Sequence, residues 1–324
     1  MNQRLLTGDL MANCKVSVCI PTYNYGSYIA ETIESVLSQD FTDFELLIID
    51  DNSTDSTVSV VEPYTHRDPR VKFIVNPKNL GMVENWNYCL DQAQGEYIKY
   101  VFGDDLLASP DALGRMVALL DADSSVSLVC SARNFINDRS EIIKIVSRFE
   151  KTGILPGTDV INLCLIKQGN LIGEPSVVMF RKRQASRGFM VHYRQIVDLE
   201  MWFHLLEQGT FAYISEPLCS FRIHDRQQTV KNRENLSDLN DVFYLLDDYM
   251  QKEYITLSSF MKKYMKYDHL YEIWKLYKKK KLRREAAVKI INSNFSFSYF
   301  RCWYPFYKLF KPCFKLYKKI SRNS

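Results

Sequence analysis

The chain has 324 residues, 46% hydrophobic and 25% charged, which is enough to bury a sizeable core and too apolar for a disordered protein. Its net charge of +4 hides an asymmetry, because residues 270–324 carry 15 Lys+Arg against 2 Asp+Glu and leave the remainder at −9. The acidic body argues against nucleic acid, and the basic tail predicts a partner of its own. The eight cysteines form no CxxC pair, and most sit in apolar runs, where a free thiol behaves as a small hydrophobe. With no signal sequence and no apolar span of about 18 residues, the expectation is a reducing, cytoplasmic location.

In chain order, Met1–Asn13 reads as a loose leader. Val16–Ile20 predicts a buried strand stopped by Pro21. Tyr28–Gln39 follows at helical spacing, with Ser27 as its expected N-cap. Phe44–Ile49 is a second strand ending in Asp50-Asp51-Asn52-Ser53, and Thr54 or Asp55 opens the next helix. Val71–Val75 is a third strand, Met82–Ala93 a helix, and Gly95 leads into Tyr97-Ile98-Lys99-Tyr100-Val101-Phe102-Gly103-Asp104-Asp105. Strand–helix alternation of this kind predicts a mostly parallel sheet covered on both faces. Ligands of such sheets bind beyond the carboxyl ends of the strands. Those ends carry Pro21-Thr22-Tyr23-Asn24, Asp50-Asp51-Asn52-Ser53 and Gly103-Asp104-Asp105.

The acidic pair reads either as a solvated turn or as a seat for a hard cation, since ionised carboxylates offer acceptors alone. Neither GxGxxG after the first strand nor GxxxxGK[ST] occurs, so a nucleotide would need its diphosphate neutralised by a metal on the aspartates. Asp51 is placed to accept from a base N–H and Tyr23 to lie against a base face, with ordinary turn chemistry as the alternative for both.

Val16–Asn24, Ser35–Gln39, Glu45–Asp55, Gly95–Ile98 and Asp104-Asp105 occur in the order seen in glycosyltransferase family 2, which the chain resembles over about Lys15 to Leu120. The resemblance implies a GT-A fold binding a nucleotide-diphosphate sugar through Mn2+ or Mg2+. Pro21, Thr22, Tyr23, Asn24 and Asp51 would contact the donor, Asp51 through the base. Asp105 would ligate the metal, and Asp104 would contact the ribose or a metal-bound water. Many members carry a further Asp two positions before the pair, where this chain has Phe102.

Downstream, Ala112–Leu120 predicts a helix, Val126–Ala132 a strand, and Asn134–Glu150 a hairpin or edge structure turning at Asn137–Ser140. Val160–Gln168 reads as a helix, and Leu171–Arg181 as a polar turn entering a strand. In the family this last region borders the acceptor, so Glu174 and Ser176 are acceptor candidates, with turn and cap chemistry as the alternative. Ile196–Gly209 predicts a helix whose apolar face is Leu199, Trp202, Phe203 and Leu206. Asp198 at its start is either an N-cap or the general base that an inverting transfer to a hydroxyl requires. The family places its base at the start of such a helix, and Glu200 is the reserve. Phe211–Ile214 and Pro217–Asp225 read as two strands. Arg222-x-His224 with Gln227-Gln228-Thr229 resembles the segment closing the family's donor site, which makes Arg222 a donor contact and His224 a metal or phosphate contact.

Residues 236–267 read as helical. The tail beyond interleaves Trp303, Tyr304, Phe306, Tyr307, Phe310, Phe314 and Tyr317 with Arg301, Lys308, Lys311, Lys315, Lys318 and Lys319, and no acid follows Glu285. That composition suits an anionic membrane surface, with a nucleic-acid patch or a solvated helix face as alternatives. The expectation is therefore a GT-A catalytic domain over 15–230 and a helical, basic region over 231–324. Its activity would be inverting, metal-dependent transfer to a glycan acceptor, possibly lipid-linked, in cell-surface polysaccharide synthesis at the inner face of the membrane. A polyprenyl-phosphate sugar transferase of the same fold and a non-catalytic nucleotide-sugar or glycan binding module are the alternative readings.

Overall fold

The structure is a computed structural model and describes residues 14–225, 227 and 239–320, with side chains described only to 314. The expected leader Met1–Asn13, Gln228, Thr229 and the expected domain boundary at 230 lie outside the described residues. In chain order the elements are β1 (Val16–Thr22), α1 (Ile29–Leu37), β2 (Phe44–Asp50), α2 (Thr57–Arg67), β3 (Val71–Val75), α3 (Met82–Gln92), β4 (Tyr97–Tyr100), β5 (Leu106–Leu107) and α4 (Ala112–Ala122). They continue with β6 (Val126–Ile136), β7 (Ile142–Val146), β8 (Gly153–Pro156), α5 (Gly157–Lys167), β9 (Val178–Arg181), α6 (Val197–Leu206) and β10 (Thr210–Arg222). The C-terminal helices are α7 (Asp241–Tyr249), α8 (Ser259–Lys278), α9 (Arg284–Asn294) and α10 (Phe297–Ile320).

One sheet runs in the order β3-β2-β1-β4-β9-β6-β10-β5, with β7 against β6 and β8 against β10. The first four strands are parallel, and β9 enters antiparallel between β4 and β6. Because β10 is parallel to β6, six of the ten strands run in one direction, which gives the mostly parallel central sheet that the strand–helix alternation predicts. Every residue of β1, β2 and β4 is buried, as a sheet clothed on both faces requires.

Four local expectations are corrected. β1 continues through Pro21, because the ladder to β4 has ended at Cys19–Tyr100 on the side where Pro21 lacks its N–H, while pairing to β2 carries on to Thr22–Asp50. Ser27 does not cap α1, since the Tyr25 carbonyl takes the N–H groups of Tyr28 and Ile29 at 2.9 Å each. The strand expected to end at Ala132 reaches Ile136, where β10 and β7 flank it on both sides. The two strands expected around Pro217 are one, β10, which absorbs the proline through register shifts on either side of it.

The C-terminal segment packs on itself and on the sheet domain. Tyr249 of α7 sets its ring 5.1 Å from Phe203 of α6, and the Tyr254 hydroxyl donates to Glu207 at 2.7 Å. Ser258 caps α8 by accepting from the Met261 N–H. Aromatic pairs then join α8 to α10, with Tyr264 against Phe314 at 3.6 Å, Tyr267 against Phe300 at 5.1 Å and Tyr271 against Tyr304 at 5.6 Å. Among the described residues no helix is long and apolar enough to cross a membrane.

Gly95 sets the approach of β4 to β1. A Cβ there would stand 2.3 Å from the Ser17 N and 2.6 Å from the Val16 carbonyl carbon, both of them backbone. Gly95→Ala is therefore expected to cost more than about 2 kcal/mol, read as a fall in urea midpoint at unchanged m value, whereas Gly153→Ala, which meets no atom within 4 Å, leaves the midpoint within error.

Candidate active site

The site is assembled where the parallel strands end. Beyond β1, Asn24 adopts a left-handed conformation that its short amide side chain tolerates, and its Oδ1 accepts from the Thr54 N–H at 2.8 Å. Asp55 binds the same two loops together, accepting from the N–H groups of Gly26 at 3.0 Å and Thr57 at 2.9 Å. It thus supplies the acceptor expected at the start of α2, although the helix itself begins at Thr57. Tyr23 is exposed beside this clasp, Pro21 is buried in β1, and the Thr22 hydroxyl is buried with no hydrogen-bond partner among the described residues. Asp51 is buried at the end of β2, and its carboxylate accepts from Leu80 N at 2.7 Å, Gly81 N at 2.9 Å and Asn76 Nδ2 at 3.0 Å. It therefore organises the loop into α3 and presents only the rest of its acceptor capacity outward.

Gly103 is packed against Thr22 and Tyr25, so that a Cβ would lie 3.0 Å from the unpartnered Thr22 Oγ1. The two carboxylates that follow are buried. Asp105 accepts from Ser176 Oγ at 2.5 Å and from the Arg222 backbone N–H at 3.0 Å. Burial, and then the charge of Asp104 beside it, push Asp105 well above the usual carboxylate range. Asp104 Oδ2 lies 2.9 Å from His224 Nε2, and its backbone carbonyl accepts from Arg222 Nε at 2.8 Å.

Asp198 occupies the first turn of α6, after the cap residue Ile196. The loop N–H groups ahead of the helix, those of Arg194 at 2.8 Å, Gln195 at 2.6 Å and Ile196 at 3.3 Å, converge on Asp241 Oδ2 from α7. With that work done from outside, Asp198 keeps Oδ1 on the Leu199 N–H at 2.8 Å and Oδ2 on Asn170 Nδ2 at 3.1 Å. Solvent reaches its edge, but surrounding protein raises its pKa from 3.8 to about 7, with the Glu174 charge adding to the rise. A carboxylate in that range suits a general base.

One short segment joins the two acidic centres. Asn170 bonds Asp198, and Ser176, six residues on, bonds Asp105, a reach of at most about 21 Å for an extended chain. Between them the Gly173 carbonyl accepts from Trp202 Nε1 at 3.0 Å and from Asn170 Nδ2 at 3.0 Å. Glu174 raises both Asp105 and Asp198, and Arg133 Nε pairs with it at 2.7 Å.

The other residues expected at the site make the following contacts. Arg222 is buried, with its guanidinium bound to Asp104 O, Asn137 O, Ser140 Oγ and Glu31 Oε2. His224 Nε2 lies against Asp104 Oδ2, one residue from Asp105 in the chain. Ser176 is 1% exposed and its hydroxyl lies between the Phe102 N–H at 3.0 Å and Asp105. Glu200 is buried in a two-pronged pair with Arg187 at 2.7 and 2.8 Å. Glu174 remains partly exposed, although paired with Arg133.

Residues the sequence did not single out complete the site. Lys99, wholly buried in β4, donates to the Ser176 carbonyl and lies 3.5 Å from Cys219 Sγ, and burial pushes its pKa down. A lysine inside an otherwise apolar strand was the available signal. Asn170, Arg133 and Asp241 had none, because their partners are distant in the chain.

Among the described residues no three His, Cys, Asp or Glu side chains converge as a preformed metal cage. Mg2+ and Mn2+ do not need one in such sites, since one or two carboxylates plus substrate phosphates are a usual set. Two buried carboxylates, one pushed far above its ordinary range, fit a divalent cation that would relieve their repulsion.

Comparisons with known proteins bear on the family and the fold. Residues 17–185 match the model of the glycosyl transferase family 2. A Bacillus subtilis protein named for teichuronic acid biosynthesis, the glycosyltransferase TuaG, is 30% identical over 216 residues, 66% of this chain and 81% of its own. S. aureus TarS 1-349 in complex with UDP-GlcNAc superimposes with a TM-score of 0.62 at 20% identity, over 79% of this chain and 71% of that one. Mannosyltransferase PcManGT from Pyrobaculum calidifontis, in complex with GDP-Man and Mn2+, gives 0.57 at 17% identity, over 95% and 84%. These two show the shared GT-A fold. The chain belongs to glycosyl transferase family 2.

Proposed function

We propose that the protein is an inverting, divalent-cation-dependent glycosyltransferase that moves a sugar from a nucleotide-diphosphate donor to a hydroxyl of a glycan acceptor in cell-surface polysaccharide synthesis. The observation that carries this reading is the segment 170–176, which ties a carboxylate with a pKa of about 7 to a buried acidic pair at the strand ends. TuaG is named for teichuronic acid biosynthesis, and TarS and PcManGT are seen with UDP-GlcNAc and GDP-Man, which supports a nucleotide sugar and a glycan as the two substrates.

In this reading Asp198 takes the proton of the acceptor hydroxyl as that oxygen attacks the anomeric carbon from the face opposite the diphosphate. The new C–O bond forms as the bond from the anomeric carbon to the diphosphate oxygen breaks, and the configuration inverts. Asp104 and Asp105 would hold the cation, which, when bound, supplies positive charge to the departing diphosphate. Thr22, with its unpartnered hydroxyl, together with Pro21, Tyr23, Asn24 and Asp51, lines the donor side. Asn170 orients the base, and Glu174, between the two centres electrostatically, faces the acceptor. A lipid-linked glycan is the acceptor that accounts for a basic tail, and residues 270–324 attach the enzyme to the anionic inner face of the membrane.

Asp105→Asn is expected to remove Mn2+-supported turnover by 100-fold or more, and Asp198→Asn to abolish transfer while donor binding by calorimetry survives. Transfer by Asp198→Asn at the native rate would overturn the base and point to an acceptor that is already an anion, such as a polyprenyl phosphate. The rate of transfer should rise with pH through about 7 as Asp198 loses its proton. Stability runs the other way. The folded pKa lies above the unfolded one, so ionisation destabilises the fold progressively from about pH 4 to pH 7. Asp198→Asn forfeits one hydrogen bond, about 1 kcal/mol, and avoids an ionisation cost of a few kcal/mol. Its Tm should exceed that of the native protein at pH 8, with the gap closing and then reversing toward pH 4 in a calorimetric series.

A further inference from the structure

Helix α10 carries two apolar stripes, and α8 covers one of them. Phe300, Tyr304, Tyr307 and Phe314 recur every three, four or seven residues and stack on the tyrosines of α8. One step around the helix, Tyr299, Trp303, Phe306 and Phe310 recur with the same period and face away from that packing, at 47%, 41%, 56% and 44% exposure. Leu309, 71% exposed, and Phe260 at the start of α8, 57% exposed and 6.4 Å from the Phe310 ring, widen the patch. Arg301 and Lys308 are exposed on the remaining face with Pro305 and Pro312. A contiguous aromatic patch of this kind is foreign to a water-exposed surface.

We infer that the stripe Tyr299-Trp303-Phe306-Phe310, extended by Phe260 and Leu309, is the surface by which this protein enters the interface of an anionic lipid bilayer, with α10 lying in the membrane plane. The inference rests on the membrane attachment proposed above and assigns the side chains that make it. A second copy of the chain is a poor occupant, because no acidic residue follows Glu285 and two such basic faces would repel one another. Tyr, Trp and Phe suit the headgroup boundary, where one side of a ring is wet and the other apolar. A 24-residue helix with an apolar stripe, a basic face and no apolar span capable of crossing lies on a membrane rather than through it. Attachment there would leave the packed stripe to hold the catalytic domain beside the lipid, where a lipid-linked acceptor is presented.

The test is co-sedimentation of the full chain with phosphatidylcholine vesicles with and without 30% phosphatidylglycerol, set against the triple variant Trp303→Ser, Phe306→Ser, Phe310→Ser. The native chain should bind the anionic vesicles, bind the neutral ones more weakly, and lose tenfold or more of its partition in the variant, while transfer to a soluble acceptor is retained. Cys302 and Cys313, the exposed thiols among the described residues, provide a second measurement on the intact surface. An environment-sensitive dye on them should shift to the blue when anionic vesicles are added. Equal partition by the variant, no blue shift, no binding to either vesicle, or a lipid-independent dimer that the variant dissolves would each overturn the assignment. Loss of transfer to the soluble acceptor in the native chain would instead strike the catalytic reading and leave the vesicle result standing.

Discussion

Two adjacent carboxylates held below the surface repel one another and have shed most of their water, and the rest of the site answers that constraint. Asp105 is supported from β10 by the Arg222 N–H and from the turn before β9 by Ser176 Oγ. Asp104 is met by His224 and, through its carbonyl, by the Arg222 guanidinium. Beneath them Lys99 is anchored to the Ser176 carbonyl, which places a basic group within the same low-dielectric region. The donors steady the pair but do not neutralise it, and Asp105 stays far from its ordinary range. A divalent cation arriving with a diphosphate is the partner proposed for such a pair.

The antiparallel strand β9 makes this arrangement possible. Placed between β4 and β6, it delivers residues 170–177 across the top of the parallel strands, so that a single loop touches both the acid pair and the start of α6. Asp198, the proposed base, is placed by the same economy of parts. Asp241, from a helix more than 40 residues further on, takes the loop N–H groups that would otherwise draw on Asp198. Freed from capping, that side chain keeps two hydrogen bonds and a protein surround, and the outcome is a carboxylate whose proton is gained and lost near neutrality.

Alternating strands and helices, the polar clusters at the strand ends and the charge asymmetry were all legible in the sequence, because each is a local pattern: period two or 3.6, a glycine before two acids, a run of lysines without acids. The parallel sheet, the placement of Gly103-Asp104-Asp105 at its edge and the position of Asp198 on α6 follow from those patterns alone. What each side chain does there depended on partners far away in the chain. Arg222 read as a phosphate contact, Ser176 as an acceptor contact and Glu200 as a reserve base, and tertiary packing buried all three against Glu31, Asp105 and Arg187. Burial and pairing are properties of the folded neighbourhood, and nothing in residue type or spacing encodes which donor an acid will meet. In the same way the tail's composition disclosed an amphipathic, basic segment, but only the packing of α10 on α8 decided which aromatic stripe is covered and which is left facing outward.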